Sequence, residues 1–152
     1  MKIWKFIIVG QDDYKSPSAI NLKKLSYEDK KCFTYSGYID DLSKILIESS
    51  IVCLPSYREG MPKVLLEASA AGCAIITTDT IGCRDSIENG FSGELVKLKD
   101  IDDLTTTILK FIDDKKLREK YGKNAREYSF NNYSIVSVIE KHLNIYKKFD
   151  GE

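Results

Sequence analysis

The residues best suited to chemistry are two glutamates, Glu59 and Glu67, which have seven residues between them. A carboxylate accepts two hydrogen bonds side by side, and this suits a vicinal diol such as the edge of a ribose. Pro62 favours the first position of a helix, so Glu59 is expected outside that helix and Glu67 more than one turn inside it. The pair predicts a site for a hydroxyl-rich ligand.

The alternative is that Glu67 only pairs with Lys63, one turn earlier, on a solvated helix face. Alanine and leucine surround Glu67 in the sequence, which is typical of a helix packed closely on a sheet. A charge in such surroundings requires a partner or a ligand. Both interpretations stay open at this point.

The segment that carries the two glutamates reads as a strand, a loop and a helix. The apolar run Ile51–Leu54 predicts a buried strand, Ser56–Gly60 a loop, and Pro62–Ala71 a helix that ends at Gly72. In such a unit the loop lies at the carboxyl edge of a parallel sheet, where α/β proteins bind ligands. The helix directs its unpaired N–H groups towards this loop, which favours an anion and above all phosphate.

Strands and helices alternate through the first hundred residues. Further strands are predicted over Ile3–Val9, Cys32–Tyr35, Ala74–Thr77 and Glu94–Val96, and further helices over Pro17–Lys31, after Asp40, and over Gly82–Asn89. This alternation predicts an α/β fold with a doubly wound parallel sheet.

After Lys99 only helical periodicity remains. Helices are predicted over Asp100–Asp113, Lys115–Tyr128 and Tyr133–Phe149. We therefore expect residues 1–99 to form a Rossmann-like core and residues 100–152 to form a helical C-terminal tail that completes the same domain.

Composition limits the classes of function. The 152 residues contain 23 lysines and arginines and 23 aspartates and glutamates, so no overall charge favours nucleic acid. No apolar run is long enough to span a membrane, and no signal peptide is recognised, which predicts a cytoplasmic protein. The four cysteines are interpreted as small core residues. The lysine-rich end is expected to be a solvated helix face, with weak contact to an anionic membrane surface as the alternative.

The sequence Glu-Gly-Met-Pro-Lys-Val-Leu-Leu-Glu over residues 59–67 resembles the two-glutamate signature of retaining glycosyltransferases of the GT-B fold, in the large group called family 4 or glycosyl transferases group 1. Blocks at residues 8–10, 51–56, 72–77 and 81–93 resemble the family in the same order and spacing. The form of the 81–93 block resembles bacterial enzymes that build surface polysaccharides.

The resemblance implies that this chain is the C-terminal, donor-binding half of such an enzyme. Glu67 would then hold the ribose of a nucleotide diphosphate sugar, with UDP as the preferred nucleotide. Glu59 would be the catalytic carboxylate, holding the transferred sugar near the reacting carbon. Backbone N–H groups would face the sugar and the diphosphate; they belong to Gly60, Met61 and Lys63. No metal or other cofactor is expected.

The loop that contains Gly37 and Tyr38 would lie close to the nucleotide base by the same resemblance. An ordinary turn between a strand and a helix is the alternative for this loop.

The implied partners are a nucleotide sugar, an N-terminal GT-B domain and a glycan or lipid-linked acceptor. The acceptor domain, and a basic segment that relatives carry before the strand at Ile3, are absent from this sequence, so we expect the chain to be inactive alone. Two alternatives are a non-catalytic binding module of the same fold and an unrelated doubly wound domain such as a receiver. The receiver is disfavoured because no aspartate closes the Ile51–Leu54 strand.

Overall fold

The computed structural model describes residues 4–11 and 32–149. The chain divides into two compact units, Met1–Leu42 and Ser43–Glu152. The predicted helix Pro17–Lys31 lies outside the described residues.

The first unit contains a short parallel pair of strands. β1 (Ile7–Ile8) pairs with β2 (Thr34–Tyr35), with Ile7 opposite Thr34. Both strands are shorter than predicted, because strand pairing is confined to these two residues of each strand. The Gly10 N–H donates to the Gly37 carbonyl at 3.0 Å, which ties the segment after β1 to the segment after β2.

The second unit contains a three-stranded parallel sheet in the order β3-β4-β5. Its elements up to residue 96 are α1 (Ser43–Glu48), β3 (Ile51–Leu54), α2 (Lys63–Ala71), β4 (Ala74–Thr78) and β5 (Gly93–Val96). All five residues of the central strand are buried. The parallel strands and their connecting helices confirm the predicted α/β fold. The prediction that Ile51–Leu54 is a buried strand is wrong: none of its four residues is buried, because β3 is an edge strand of this described sheet.

Helix α2 begins and ends where proline and glycine predict. Pro62 is the N-cap residue, with extended backbone angles, so the helix begins one residue later than expected. Gly72 adopts the left-handed conformation, with φ +84°, and its N–H donates to carbonyls of the last turn. The boundaries of α2 fix Glu59 outside the helix and Glu67 inside it.

Three helices form the C-terminal tail: α3 (Ile101–Asp113), α4 (Lys115–Tyr133) and α5 (Ile135–Phe149). Asp100 and Asp114 cap the first two by accepting hydrogen bonds from backbone N–H groups. The predicted end of α4 at Tyr128 is wrong, because the helix continues to Tyr133. Ser134 is extended and its hydroxyl oxygen accepts the Ser137 N–H, so the break falls there.

The tail packs on the sheet of the second unit. Its buried core combines sheet residues with residues of α3 and α4: Ala74, Ile76, Val96, Phe111 and Tyr121. The rings of Phe111 and Tyr121 meet edge to face with centroids 5.0 Å apart. Burial of each large side chain of this kind contributes roughly 1.5–3 kcal/mol. The division at residues 99 and 100, and one domain for the whole chain, stay predictions.

Three local predictions are wrong. Gly82–Asn89 is not an α-helix: only Arg84–Ser86 forms a single 3₁₀ turn, because Gly82 has φ +84° and Ile87 is extended. Asp40 does not cap α1, which begins at Ser43. Cys32 and Cys53 are exposed rather than part of the core.

By contrast, Cys73 is buried, and its thiol donates to the Leu46 carbonyl at 3.2 Å. Within the described ranges, no helix is long and apolar enough to cross a membrane.

Candidate functional site

A surface pocket of about 790 Å³ lies at the carboxyl end of β3. It is lined by Tyr57, Arg58, Glu59, Gly60 and Ile81. The first four residues belong to the loop between β3 and α2, and Ile81 belongs to the segment that follows β4. The pocket therefore lies at the sheet edge that the strand-loop-helix pattern predicts.

Glu59 is held in place by the loop that contains it. Its Oε1 accepts a hydrogen bond from the Ser56 hydroxyl at 2.7 Å. The Ser56 carbonyl in turn accepts the Thr78 hydroxyl, and the Leu54 carbonyl accepts the Thr77 hydroxyl at 2.8 Å. Two threonines at the end of β4 thus fix the backbone that leaves β3.

These three hydroxyl residues were missed from the sequence. The consecutive threonines at the end of the Ala74–Thr77 run were the available signal. Their partners lie 22 and 23 residues earlier, so no local pattern identifies the contacts.

The backbone at the entrance to α2 offers unpaired donors. Among the residues that the structure describes, the N–H groups of Gly60, Met61 and Lys63 donate to no acceptor. These groups lie just before and at the positive end of the helix dipole. Together they can bind an anion such as a phosphate oxygen.

Glu67 lies on α2, one turn after Lys63, and forms an ion pair with it. The distance from Lys63 Nζ to Glu67 Oε1 is 3.1 Å, and 40% of the Glu67 side-chain surface is exposed. The pairing that the sequence left open is therefore present. Because the Lys63 side chain is exposed, a ligand can replace it as the partner of Glu67 at little cost. Binding of ribose by Glu67 stays a prediction.

Gly82 approaches the loop more closely than any side chain would allow. A Cβ atom there would lie 2.8 Å from the Glu59 carbonyl carbon and overlap the Gly60 carbonyl oxygen. The next contact is made by Ser86, whose Oγ lies 3.4 Å from Met61 Sδ. The segment after β4 therefore packs directly on the loop that carries Glu59.

The predicted site residues fall in both units. Glu59 and Gly60 line the pocket, and Met61, Lys63 and Glu67 follow in the same loop and helix. Gly37 and Tyr38 belong to the first unit. Gly37 has φ +67°, which favours glycine, and Tyr38 is 67% exposed. Their place beside a nucleotide base stays a prediction.

A second pocket, of about 640 Å³, lies between the end of α2 and the junction of α4 with α5. Phe130, Tyr133 and Ile135 contribute to its lining. It lies away from Glu59 and from the unpaired N–H groups at the start of α2. The pocket at Glu59 is therefore the candidate site.

Metal ligands are not gathered in the described parts of the chain: no three His, Cys, Asp or Glu side chains there lie close enough together to hold an ion. The expectation of a metal-free site stays a prediction.

The family model for glycosyl transferases group 1 matches residues 2–128, which is most of the chain and includes the pocket. The chain belongs to this family. The family assignment made from the two-glutamate signature is thereby confirmed.

Two curated relatives in this family are bacterial. The N,N'-diacetylbacillosaminyl-diphospho-undecaprenol alpha-1,3-N-acetylgalactosaminyltransferase of Campylobacter jejuni is 34% identical over 143 residues, with 94% of this chain and 37% of the relative covered. The UDP-Gal:alpha-D-GlcNAc-diphosphoundecaprenol alpha-1,3-galactosyltransferase of Escherichia coli is 32% identical, with 93% and 36% covered. The chain thus spans little more than a third of the length of these relatives.

Solved structures of GT-B glycosyltransferases share the fold of this chain. Anabaena HepE in complex with UDP matches 95% of this chain and 41% of its own, with TM-score 0.83 and 17% identity. The C-terminal domain of the group 1 family protein LpcC from Francisella tularensis matches 70% of this chain and 56% of its own, with TM-score 0.62 and 30% identity. This chain therefore corresponds to the C-terminal part of a GT-B glycosyltransferase.

Proposed function

We propose that this chain is the donor-binding half of a retaining glycosyltransferase that transfers a sugar from a nucleotide diphosphate sugar. One observation carries the proposal: Glu59 and Gly60 line one pocket, and the unpaired N–H groups of Gly60 and of Met61, the next residue, lie beside the Glu59 carboxylate in the sequence. A carboxylate binds sugar hydroxyls, and convergent N–H groups bind phosphate oxygens. The pocket supports both halves of such a donor.

Glu59 binds the hydroxyls of the transferred sugar near the reacting carbon. Its bond from Ser56 occupies one carboxylate oxygen and orients the other. The N–H groups of Gly60, Met61 and Lys63 face the diphosphate, where negative charge grows as the sugar departs. The start of α2 stabilises that charge in the transition state, so the step requires no metal.

Glu67 binds the ribose hydroxyls after release from Lys63, which lies at the same helix end. The donor is a UDP-sugar, and Gly37 and Tyr38 lie beside the uracil. The nucleotide named for the E. coli relative and the UDP bound to HepE support this choice.

The acceptor is a lipid-linked glycan of a bacterial surface polysaccharide. Both curated relatives carry an undecaprenol diphosphate acceptor in their names. An N-terminal GT-B domain supplies the acceptor site, so the present chain binds the donor without transferring the sugar. Transfer takes place on the cytoplasmic side of a membrane, where a lipid-linked acceptor is reached.

Calorimetric titration of the chain with UDP, GDP and ADP tests the donor site. We expect UDP to bind more tightly than GDP and ADP, and Glu67→Gln to lose most of that affinity because a neutral amide accepts a weaker hydrogen bond from ribose. Glu119→Gln is the matched control, since Glu119 also pairs with a lysine one turn earlier, at 3.3 Å on α4. Equal UDP affinity in the two variants would contradict the ribose role of Glu67.

Transfer is tested separately by adding the N-terminal domain of the E. coli relative to the chain, with UDP-galactose and its lipid-linked acceptor. We expect no transfer by the chain alone and transfer with retained anomeric configuration by the mixture, read by NMR. If the chain binds UDP and the mixture transfers galactose with inverted anomeric configuration, the enzyme is not a retaining one.

A further inference from the structure

The loop that carries Glu59 rests on the turn at residues 81–86. Gly82 is in contact with the Glu59 and Gly60 backbone, and the Ser86 hydroxyl reaches Met61 Sδ at 3.4 Å. Gly60 and Met61, two loop residues whose N–H groups are unpaired, are thus both touched by this turn. A displacement of the turn would therefore move these donors.

The turn is held internally by a small set of hydrogen bonds. The Asp85 carboxylate accepts the Gly82 N–H at 3.1 Å, and the buried Ser86 hydroxyl donates to the Gly82 carbonyl at 2.8 Å. Gly82 has φ +84°, a conformation that costs an ordinary residue free energy. The conformation at Gly82 therefore depends on Asp85 and Ser86.

One hydroxyl connects this turn to the C-terminal helices. The Tyr133 hydroxyl, at the last residue of α4, donates to the Asp85 carbonyl, 48 residues earlier in the chain. The Tyr128 ring packs edge-on against the Tyr133 ring with centroids 6.1 Å apart. This contact restricts the rotation of the Tyr133 side chain. Burial, the neighbouring Tyr128 and Asp85 raise the pKa of Tyr133 to about 12, so the hydroxyl keeps its proton at neutral pH.

Helix α4 also fixes the far end of α2. A Cβ atom on Gly122 would lie 3.0 Å from the Gly72 carbonyl carbon, so the two backbones are in direct contact. The same rigid helix therefore supports α2 at its C-terminus and, through Tyr133, the turn against the loop at its N-terminus.

We propose that Tyr133 is a positioning residue for the donor site: by holding the Asp85 carbonyl, its hydroxyl keeps the 81–86 turn against the loop and presents the N–H groups of Gly60 and Met61 to the diphosphate. This inference rests on the proposed function for its ligand. The ordering of the loop by the Tyr133 hydroxyl does not depend on which ligand binds.

The test compares Tyr133→Phe with Tyr121→Phe. Tyr121 is the control because its hydroxyl, on the same helix, also donates a hydrogen bond outside the pocket, to Glu94 Oε1 at 2.5 Å, with the Gly90 carbonyl oxygen 3.0 Å away. NMR titrations use UDP and uridine, which lacks the diphosphate. We expect Tyr133→Phe to weaken UDP binding roughly five-fold, the effect of one lost neutral hydrogen bond, and to leave uridine binding unchanged. We expect Tyr121→Phe to change neither affinity.

Backbone ¹⁵N order parameters of the ligand-free variants give a second readout. We expect them to fall at Gly60 and Met61 in Tyr133→Phe and not in Tyr121→Phe. Unchanged order parameters, or equal losses of UDP and uridine affinity, would overturn the positioning role. If the unmodified chain binds no UDP, the proposed function fails, and the order parameters alone then support or overturn the role of Tyr133.

Discussion

Lys63 and Glu67 form an ion pair across one turn of α2, with 3.1 Å between Nζ and Oε1. The lysine side chain is 87% exposed and the glutamate side chain 40% exposed, so water screens the pair. In the free chain this ion pair gives the Glu67 carboxylate a partner, but it is too weak to make Glu67 necessary for the fold. A ligand hydroxyl can therefore replace the lysine at little cost in stability.

Double-mutant cycles on this pair should give a small coupling energy. Alanine substitutions at Lys63 and Glu67 are expected to show a coupling of about 0.3–0.5 kcal/mol in urea unfolding, decreasing at high salt. The matched cycle uses Lys115 and Glu119, which form the same spacing on α4. A coupling well above 1 kcal/mol for the α2 pair alone would show that Glu67 serves the fold.

The sequence predicts the elements around the site where one residue dictates the backbone. Pro62 and Gly72 set the limits of α2 to within one residue, because proline lacks an N–H and glycine accepts a positive φ. The placement of Glu59 outside the helix follows directly from Pro62. The glutamate signature likewise identified the family, which the match over residues 2–128 confirms.

The contacts that orient the site could not be predicted in this way. The Thr78 hydroxyl reaches the Ser56 carbonyl over 22 residues, and Tyr133 reaches Asp85 over 48. Such hydrogen bonds depend on how helices and strands pack together, so they cannot be predicted from a local sequence pattern. The same limitation explains the false helix at Gly82–Asn89, where a contact with the loop favours a left-handed glycine over a helical one.

Substitution of Gly82 should be more costly than substitution of a comparable glycine. Gly82→Ala introduces a Cβ at φ +84° that also overlaps the Glu59 and Gly60 backbone. Gly90→Ala is the control, because Gly90 has φ +77° but no atom within 4 Å of the added Cβ. We expect about 1 kcal/mol of lost unfolding free energy for Gly90→Ala and a further 1–3 kcal/mol for Gly82→Ala. Equal losses in chemical denaturation would contradict the close contact between turn and loop.

Gly122→Ala should destabilise the protein although it lies within a helix. Alanine normally stabilises a helix interior by about 1 kcal/mol relative to glycine. Here the added Cβ would lie 3.0 Å from the Gly72 carbonyl carbon and push α4 away from α2. We expect a net loss of about 1–2 kcal/mol in urea unfolding, whereas Lys123→Ala, at the neighbouring exposed position, should change stability by less than about 0.5 kcal/mol. A stabilised Gly122→Ala variant would show that the two helices are not in contact there.

Alkaline pH should destabilise the fold through two tyrosines. Burial, together with the hydrogen bond and charge of Glu94, raises the pKa of Tyr121 to about 12, and that of Tyr133 is also raised to about 12. An unfolded tyrosine has a pKa near 10, so between pH 10 and 12 the unfolded chain loses these protons first. The contribution of both residues to stability is therefore full below pH 10 and is lost as the pH approaches 12.

Urea unfolding from pH 8 to pH 11.5 measures this loss. The variant with both Tyr121→Phe and Tyr133→Phe should show a shallower decline of unfolding free energy above pH 10, because neither ring can then ionise. Some decline should remain, since burial also raises the pKa of the Cys73 thiol to about 11. An identical slope in the variant and the unmodified chain would mean that the two hydroxyls ionise as readily in the folded protein as in the unfolded one, which is incompatible with their hydrogen bonds to Glu94 and to the Asp85 carbonyl.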